Sequence, residues 1–408
     1  ILDPNGQEAN VANAKSSGSQ TVNVYDHNFK FAQSLRFNLG FDFKLLGIDW
    51  TAEGIYSKTL NDILYKNLAY DMTGKTFGQT YYQGTDMVDD NRPMLEKTTS
   101  GTPFSNIYAL YNTSKGYTVN LSLKAEKHFN FGLDLMASYT WTKSKSVNNG
   151  GSSVAESNWR YNYTCQNPND PELGNSAYNI PHRIQASAYY HVQYGARKQW
   201  QTTVGVIYTA KSGSPYTLYT YGDMNGDGAS GNDLLYIPTS DQLNSMQFEE
   251  TSFNNNALTR RLFGPGTDAW SANGNAYPKT LTAAMQRQLM ETWIDGDSYL
   301  SKHRGEFFKR YADNLAFEQH FDLHFGQKYS FKVLGDVNSI ELTVDIINVG
   351  NLLNKDWGHT YGDGFGVYYS PVTYRGNGVY QFTGGYANRD YSDLYSRWRG
   401  QIGLKYTF

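Results

Sequence analysis

The stretch Ser396–Phe408 reads Ser-Arg-Trp-Arg-Gly-Gln-Ile-Gly-Leu-Lys-Tyr-Thr-Phe. Every second residue from Trp398 is apolar, aromatic or small: Gly400, Ile402, Leu404, Tyr406 and Phe408. The other face carries Arg399, Gln401, Gly403, Lys405 and Thr407. A repeat of two is that of a β-strand, whose successive side chains point to opposite faces. The strand this predicts has one face in an apolar medium and one in water.

The pattern recurs along the chain. Leu35, Phe37, Leu39, Phe41, Phe43 and Leu45 alternate with Arg36, Asn38, Gly40, Asp42 and Lys44. After a short turn at Gly47 come Ile48, Trp50, Ala52, Gly54 and Tyr56. Tyr117 to Ala125, Leu133 to Trp141, Ile184 to Val192, Trp200 to Tyr208, Phe317 to Phe325 and Ile340 to Ile346 repeat it. The count is about nine strands, each of the roughly 9–11 residues a tilted strand needs to cross a bilayer.

The connections alternate short and long. Short turns fall at Gly47, Asn130 to Gly132, Gly195 and Gly335 to Asn338. Long connections run from about Asp71 to Asn106, Ser146 to Ile180, Lys211 to Asp313 and Gly350 to Tyr395, far above the usual ~4–6 residues. Short periplasmic turns and long extracellular loops belong to outer-membrane barrels. The predicted fold is therefore an all-β, antiparallel transmembrane β-barrel. Its long loops are extracellular and its C-terminus is periplasmic.

Residues 1–30 read as a polar extracellular loop segment and 31–408 as barrel, with the largest loop at 211–313. A soluble β-sandwich explains the alternation too. It explains less well the aromatic strand ends, the loop parity and the lack of helices to cover the sheet. Single-chain bacterial barrels close with an even strand number, and open edges are not tolerated in lipid. About nine strands are thus expected to be the C-terminal portion of a larger barrel.

Composition agrees. Tyr (34), Phe (21) and Trp (8) make 15% of the chain aromatic, and there are 39 Gly. Barrel strands and their aromatic girdles produce this composition, and a soluble β-sandwich array produces it too, so composition alone does not decide. A net charge of -3 offers no footprint for nucleic acid. Mean hydropathy is -0.60, and no apolar run approaches the roughly 18 residues of a spanning helix. The one cysteine, Cys165, forms no internal disulfide and no metal framework. The sequence opens on Ile1 without a signal peptide, as expected of a processed or truncated chain.

Several motifs, in order, resemble the SusC/RagA-type TonB-dependent transporters of Bacteroidetes-like bacteria. They are Gly54-Ile-Tyr-Ser-Lys-Thr-Leu-Asn-Asp62, Asn179-Ile-Pro-His-Arg183 and Asp223-Met-Asn-Gly-Asp-Gly228 through Asn232-Asp-Leu-Leu-Tyr-Ile-Pro238. His303-Arg-Gly-Glu306 with Lys309-Arg310, Asp345-Ile-Ile-Asn-Val-Gly-Asn-Leu-Leu-Asn354 and Ser396-Arg-Trp-Arg399 follow. A strand ending in Phe408 resembles the assembly signal read by the barrel-assembly machinery. The resemblance implies a barrel of about 22 strands with a plugged lumen, importing oligosaccharides or peptides. It implies energy from the TonB-ExbB-ExbD complex through an N-terminal plug, and a SusD-like lipoprotein as lid. The plug and the first half of the barrel are absent from this sequence. The alternative is a surface-binding or adhesin barrel without energised transport.

Asp223, Asn225, Asp227 and Gly228 match the first half of a calcium loop, in which oxygens at alternate positions converge. The twelfth position is Leu234, and Asp233 sits one place early. The competing reading is a polar loop of Asx and Gly turns. Ca²⁺ is the one cofactor the sequence suggests. His320, Asp322 and His324 share a face at strand spacing, as a metal or proton site would, but lumen-lining polar residues do the same. Tyr216, Tyr219, Tyr221 and Tyr236 flank the Asp-rich loop as candidate substrate-stacking residues or as loop packing. Leu281, Met285, Leu289 and Trp293 predict an amphipathic helix capped by Thr280 or Thr282. No Gly-x-Ser-x-Gly, His-Glu-x-x-His or P-loop is present, and no enzyme is expected.

Overall fold

The computed structural model describes residues 20–81, 90–252, 280–362, 367–384 and 391–408. Nine long strands form its frame: β1 (Gln33–Leu45), β2 (Ile48–Asn67), β3 (Tyr117–His128), β4 (Leu133–Ser146), β5 (His182–Tyr194), β6 (Trp200–Lys211), β7 (Glu318–Val333), β8 (Asp336–Ile347) and β9 (Arg399–Thr407). Each pairs antiparallel with its neighbour in this order. This is an all-β antiparallel barrel wall. Among the described residues β1 and β9 each pair with one partner strand and not with each other.

Register keeps the apolar positions together. One row crosses the sheet as Leu135, Ala188, Val206, Leu323, Ile346 and Gly400, each opposite the next. A slip of one residue would turn a whole strand inside out, so this continuity fixes the pairing. The row faces outward. Phe37 is 57% exposed, Leu121 51%, Phe321 44% and Leu404 76%. They share no dry interior, and their exposure is that of a surface meant for hydrocarbon. The opposite row is polar: Asp134, Tyr189, Gly205, His324, Asp345 and Gln401. Gly205 is required there, because the Tyr189 ring lies where a Cβ would sit, 2.4 Å away.

Two of the short turns are two-residue turns, Leu46-Gly47 and Leu334-Gly335, with positive φ at both positions. That conformation matches the right-handed twist of the flanking strands. The leucines accept a strained backbone in exchange for register.

The described parts of the four long connections are folded. Residues 68–116 hold strands Tyr70–Thr76, Pro93–Lys97 and Phe104–Thr113. The last pairs with the far end of β2. Residues 1–30 were expected to be loop, but Gln20–Tyr25 is a strand, parallel to Phe104–Thr113; residues 1–19 lie outside the described region. The largest connection and the one before β9 share a sheet, in which Pro215–Tyr221 runs parallel to Val367–Gly376. The latter forms a hairpin with Val379–Phe382. Helix α1 (Ala283–Asp295) begins at Thr282, whose side chain accepts the Met285 N–H, as the periodicity predicts.

The main hydrophobic core lies in this body and not in the barrel wall. Phe77 and Met94 come from the first connection, Leu218, Leu289, Trp293 and Phe308 from the third, and Val372 and Phe382 from the fourth. Leu289, Met290, Trp293 and Ile294 are buried, so α1 packs into the body, and Leu281 just before it is buried too. Gln286 ties it down, with its Oε1 accepting the Phe382 N–H at 2.8 Å.

Candidate functional site

The Asp-rich loop sits where the connections meet. Leu95 of the first connection donates its N–H to Asn225 O at 2.7 Å. Thr164 of the second donates to Asn232 O at 2.9 Å and accepts from Leu234 N at 3.1 Å. Gly226 and Gly228 adopt φ +80, and a Cβ on Gly226 would lie 2.6 Å from Leu95 O.

Within the loop, side-chain oxygens fold back on backbone N–H groups. Asp223 Oδ1 accepts from Gly226 (2.8 Å) and Asp227 (3.1 Å), and Oδ2 from Gly228 (2.9 Å). Asn225 Oδ1 accepts from Asp227 N (3.0 Å), and Asp227 Oδ1 from Ala229 N (2.7 Å). Asp227 Oδ2 accepts from Asn225 Nδ2 (3.2 Å) and Asn232 Nδ2 (2.7 Å). Asn225, Asp227, Asn232 and Asp233 are all buried.

Asp233 has a different partner. Its Oδ1 lies 2.6 Å from Arg92 Nη1, and its Oδ2 accepts the Met224 N–H at 3.0 Å. Arg92 also meets Asp90 at 3.3 Å and donates to Leu234 O at 2.7 Å. Burial pushes the carboxyls of Asp227, Asp233 and Asp223 above the usual range. The charges of Asp233 and Asp223 add to this at Asp227, while Arg92 opposes it at Asp233.

The four expected calcium ligands thus lie in one loop, with Asp233 turned to Arg92. Among the described residues no three His, Cys, Asp or Glu side chains form a metal cluster. His320, Asp322 and His324 go to separate partners: Thr360 Oγ1 (3.4 Å), Asn348 N (2.7 Å) and Asp345 Oδ1 (2.6 Å).

A cavity of about 640 Å³ opens between the second, third and fourth connections. Tyr161, Tyr163, Tyr178, Tyr219, Tyr221, Tyr311 and Tyr368 line it, with Asn149, Asn158, Asn162, Ser152, Ser157 and Ser230. Among the lining residues Arg160 alone is charged, and Glu156 pairs with it at 3.4 Å. Phenol rings offer flat apolar faces, and the amides and hydroxyls offer donors and acceptors. The arrangement suits an uncharged ligand with apolar faces and polar edges.

Two of the four tyrosines singled out from the sequence, Tyr219 and Tyr221, line this cavity. Tyr216 is buried in the core, its hydroxyl 2.8 Å from Asp313 Oδ2. Tyr236 packs on Phe307 and bonds Gln242. Sequence reasoning missed the contribution of the second connection, although Trp159-Arg-Tyr-Asn-Tyr163 carries the same aromatic and amide signature. Phe408, following β9, is exposed and stacks on Tyr406 at 5.8 Å. A second hollow of about 410 Å³ lies on the outward face over Ala125, Ala137, Ala186 and Ala188, where small side chains leave room for hydrocarbon.

A sheet with one hydrocarbon-facing side, topped by folded connections, defines a β-barrel membrane protein. Residues 3–311 match the family model for the outer membrane beta-barrel domain, and the chain belongs to this family. Its place is the outer membrane. No curated protein matches the chain.

Proposed function

We propose that this chain supplies C-terminal barrel strands and the extracellular vestibule of a SusC-like, TonB-dependent importer of oligosaccharides or peptides. The observation that carries the reading is the tyrosine- and amide-lined cavity within the long connections. In this reading those connections face the medium and the C-terminus faces the periplasm. The open edges of β1 and β9 pair with the N-terminal strands of the same barrel, since unpaired edges are costly in lipid. A plug carries the TonB-ExbB-ExbD coupling, a SusD-like lipoprotein closes the vestibule, and Phe408 serves the barrel-assembly machinery. The ligand is bound and passed on without turnover.

The test is uptake of a labelled oligosaccharide or oligopeptide panel by cells with and without the gene, before and after collapse of the inner-membrane proton gradient. Gene-dependent uptake that stops on collapse supports the proposal. Binding to the cell surface without energised uptake overturns it in favour of a surface-binding barrel.

A further inference from the structure

We infer that the Asp223–Asp233 loop is a calcium site whose cation locks the junction of the long connections. Asp227 is fully buried, and its hydrogen bonds come from the Ala229 N–H and two asparagine amides, none of them charged. Arg92, the guanidinium at this junction, is engaged by Asp90 and Asp233. Among the described residues the carboxylates of Asp223 and Asp227 have no ion pair of their own. Burying such a charge unpaired is expensive.

A second observation points to what fills the place. Asn232 is fully buried, and its amide is held against Asp227 through Nδ2 at 2.7 Å. Its Oδ1 has no hydrogen-bond partner among the described residues. An amide oxygen stranded beside a buried carboxylate is a ligand position for a hard cation. With Asp223, Asn225 and Asp227 it offers an all-oxygen set at the alternating spacing that calcium loops use. The donor set contains no nitrogen or sulfur, which disfavours zinc and other softer metals. Magnesium is disfavoured by its demand for near-ideal octahedral geometry. The hydrogen bonds from Gly226, Gly228 and Ala229 then orient the ligand oxygens, as outer partners do at metal sites. A cation here ties Asn225, bonded to Leu95, to Asn232, bonded to Thr164. Its role is independent of what the cavity binds.

The test uses the full chain in detergent micelles, stripped with EDTA and titrated with CaCl₂ by calorimetry. One site is expected, with a Kd on the order of 10⁻⁴–10⁻³ M, the range of extracellular modules. Asp227→Asn and Asn232→Leu should each weaken it at least tenfold, and Asp241→Asn, on another segment, should not. Tb³⁺ provides a second readout, because Tyr70 lies against Gly228 and sensitises its luminescence. Absence of both heat and luminescence with wild-type protein overturns the proposal. So does unchanged affinity in both loop variants, or equal affinity for Mg²⁺. Should a variant fail to fold, wild-type stoichiometry and displacement of Tb³⁺ by Ca²⁺ decide.

Discussion

Arg92 and Asp233 stand 141 positions apart in the chain and meet at 2.6 Å with both side chains buried. The pair joins the first long connection to the third. Its guanidinium also holds Asp90, so one cation balances two carboxylates. Arg92→Met leaves both acids buried without a counter-charge. The expected loss is about 3–5 kcal/mol in the stability of the loop body, since breaking a buried pair costs more than the pair contributes. Chemical unfolding followed by tryptophan fluorescence measures it.

The two apolar environments separate by substitution. Leu289→Ala empties a fully buried position and is expected to cost about 2–5 kcal/mol. Leu121→Ala on the outward face leaves no cavity in protein. Leu121→Arg is expected to cost up to about 2–4 kcal/mol where it meets hydrocarbon. Asn120→Arg, one residue away on the polar face, is expected to be tolerated. Reversible folding into bilayers compares the four.

Tyr221→Ala and Tyr368→Ala remove exposed rings from the cavity. Each is expected to weaken binding of a cognate uncharged ligand about tenfold, the equivalent of roughly 1.4 kcal/mol, without changing the unfolding midpoint. Tyr216→Phe is expected to do the reverse. It loses the bond to Asp313 and about 1 kcal/mol of stability while leaving affinity intact. Binding titrations paired with thermal melts distinguish them.

Burial and the neighbouring Glu172 push the Cys165 thiol up to about 12. Raising a thiol pKa removes thiolate at every lower pH, so the nucleophile is scarce near neutrality. Alkylation of Cys165 by iodoacetamide at pH 8 is expected to be at least about 100-fold slower than that of a free cysteine, and to accelerate on unfolding. Mass spectrometry of timed samples measures both rates.

The wall was legible in the sequence because two media write a repeat of two into every strand. Phe37, Leu121, Phe321 and Leu404 carry that signal and all face outward. The start of α1, narrowed by the sequence to Thr280 or Thr282, and the turn glycines Gly47 and Gly335 are local, so they were legible too. The loop body was not, because it is made of distant pairs. Arg92 with Asp233, and Gln286 with Phe382, leave no periodic trace. The strand Gln20–Tyr25 was missed for the same reason, since its partner lies beyond residue 100. The cavity was half legible: Tyr219 and Tyr221 flank a motif, while Tyr161 and Tyr368 reach it from other connections.

Because Phe77, Trp293 and Phe382 belong to different connections yet pack in one core, these segments are not interchangeable modules. Shortening or grafting any one of them exposes the apolar faces of the others. New ligand preferences are therefore reached by exchanging side chains around the tyrosine-lined hollow, and not by swapping whole loops.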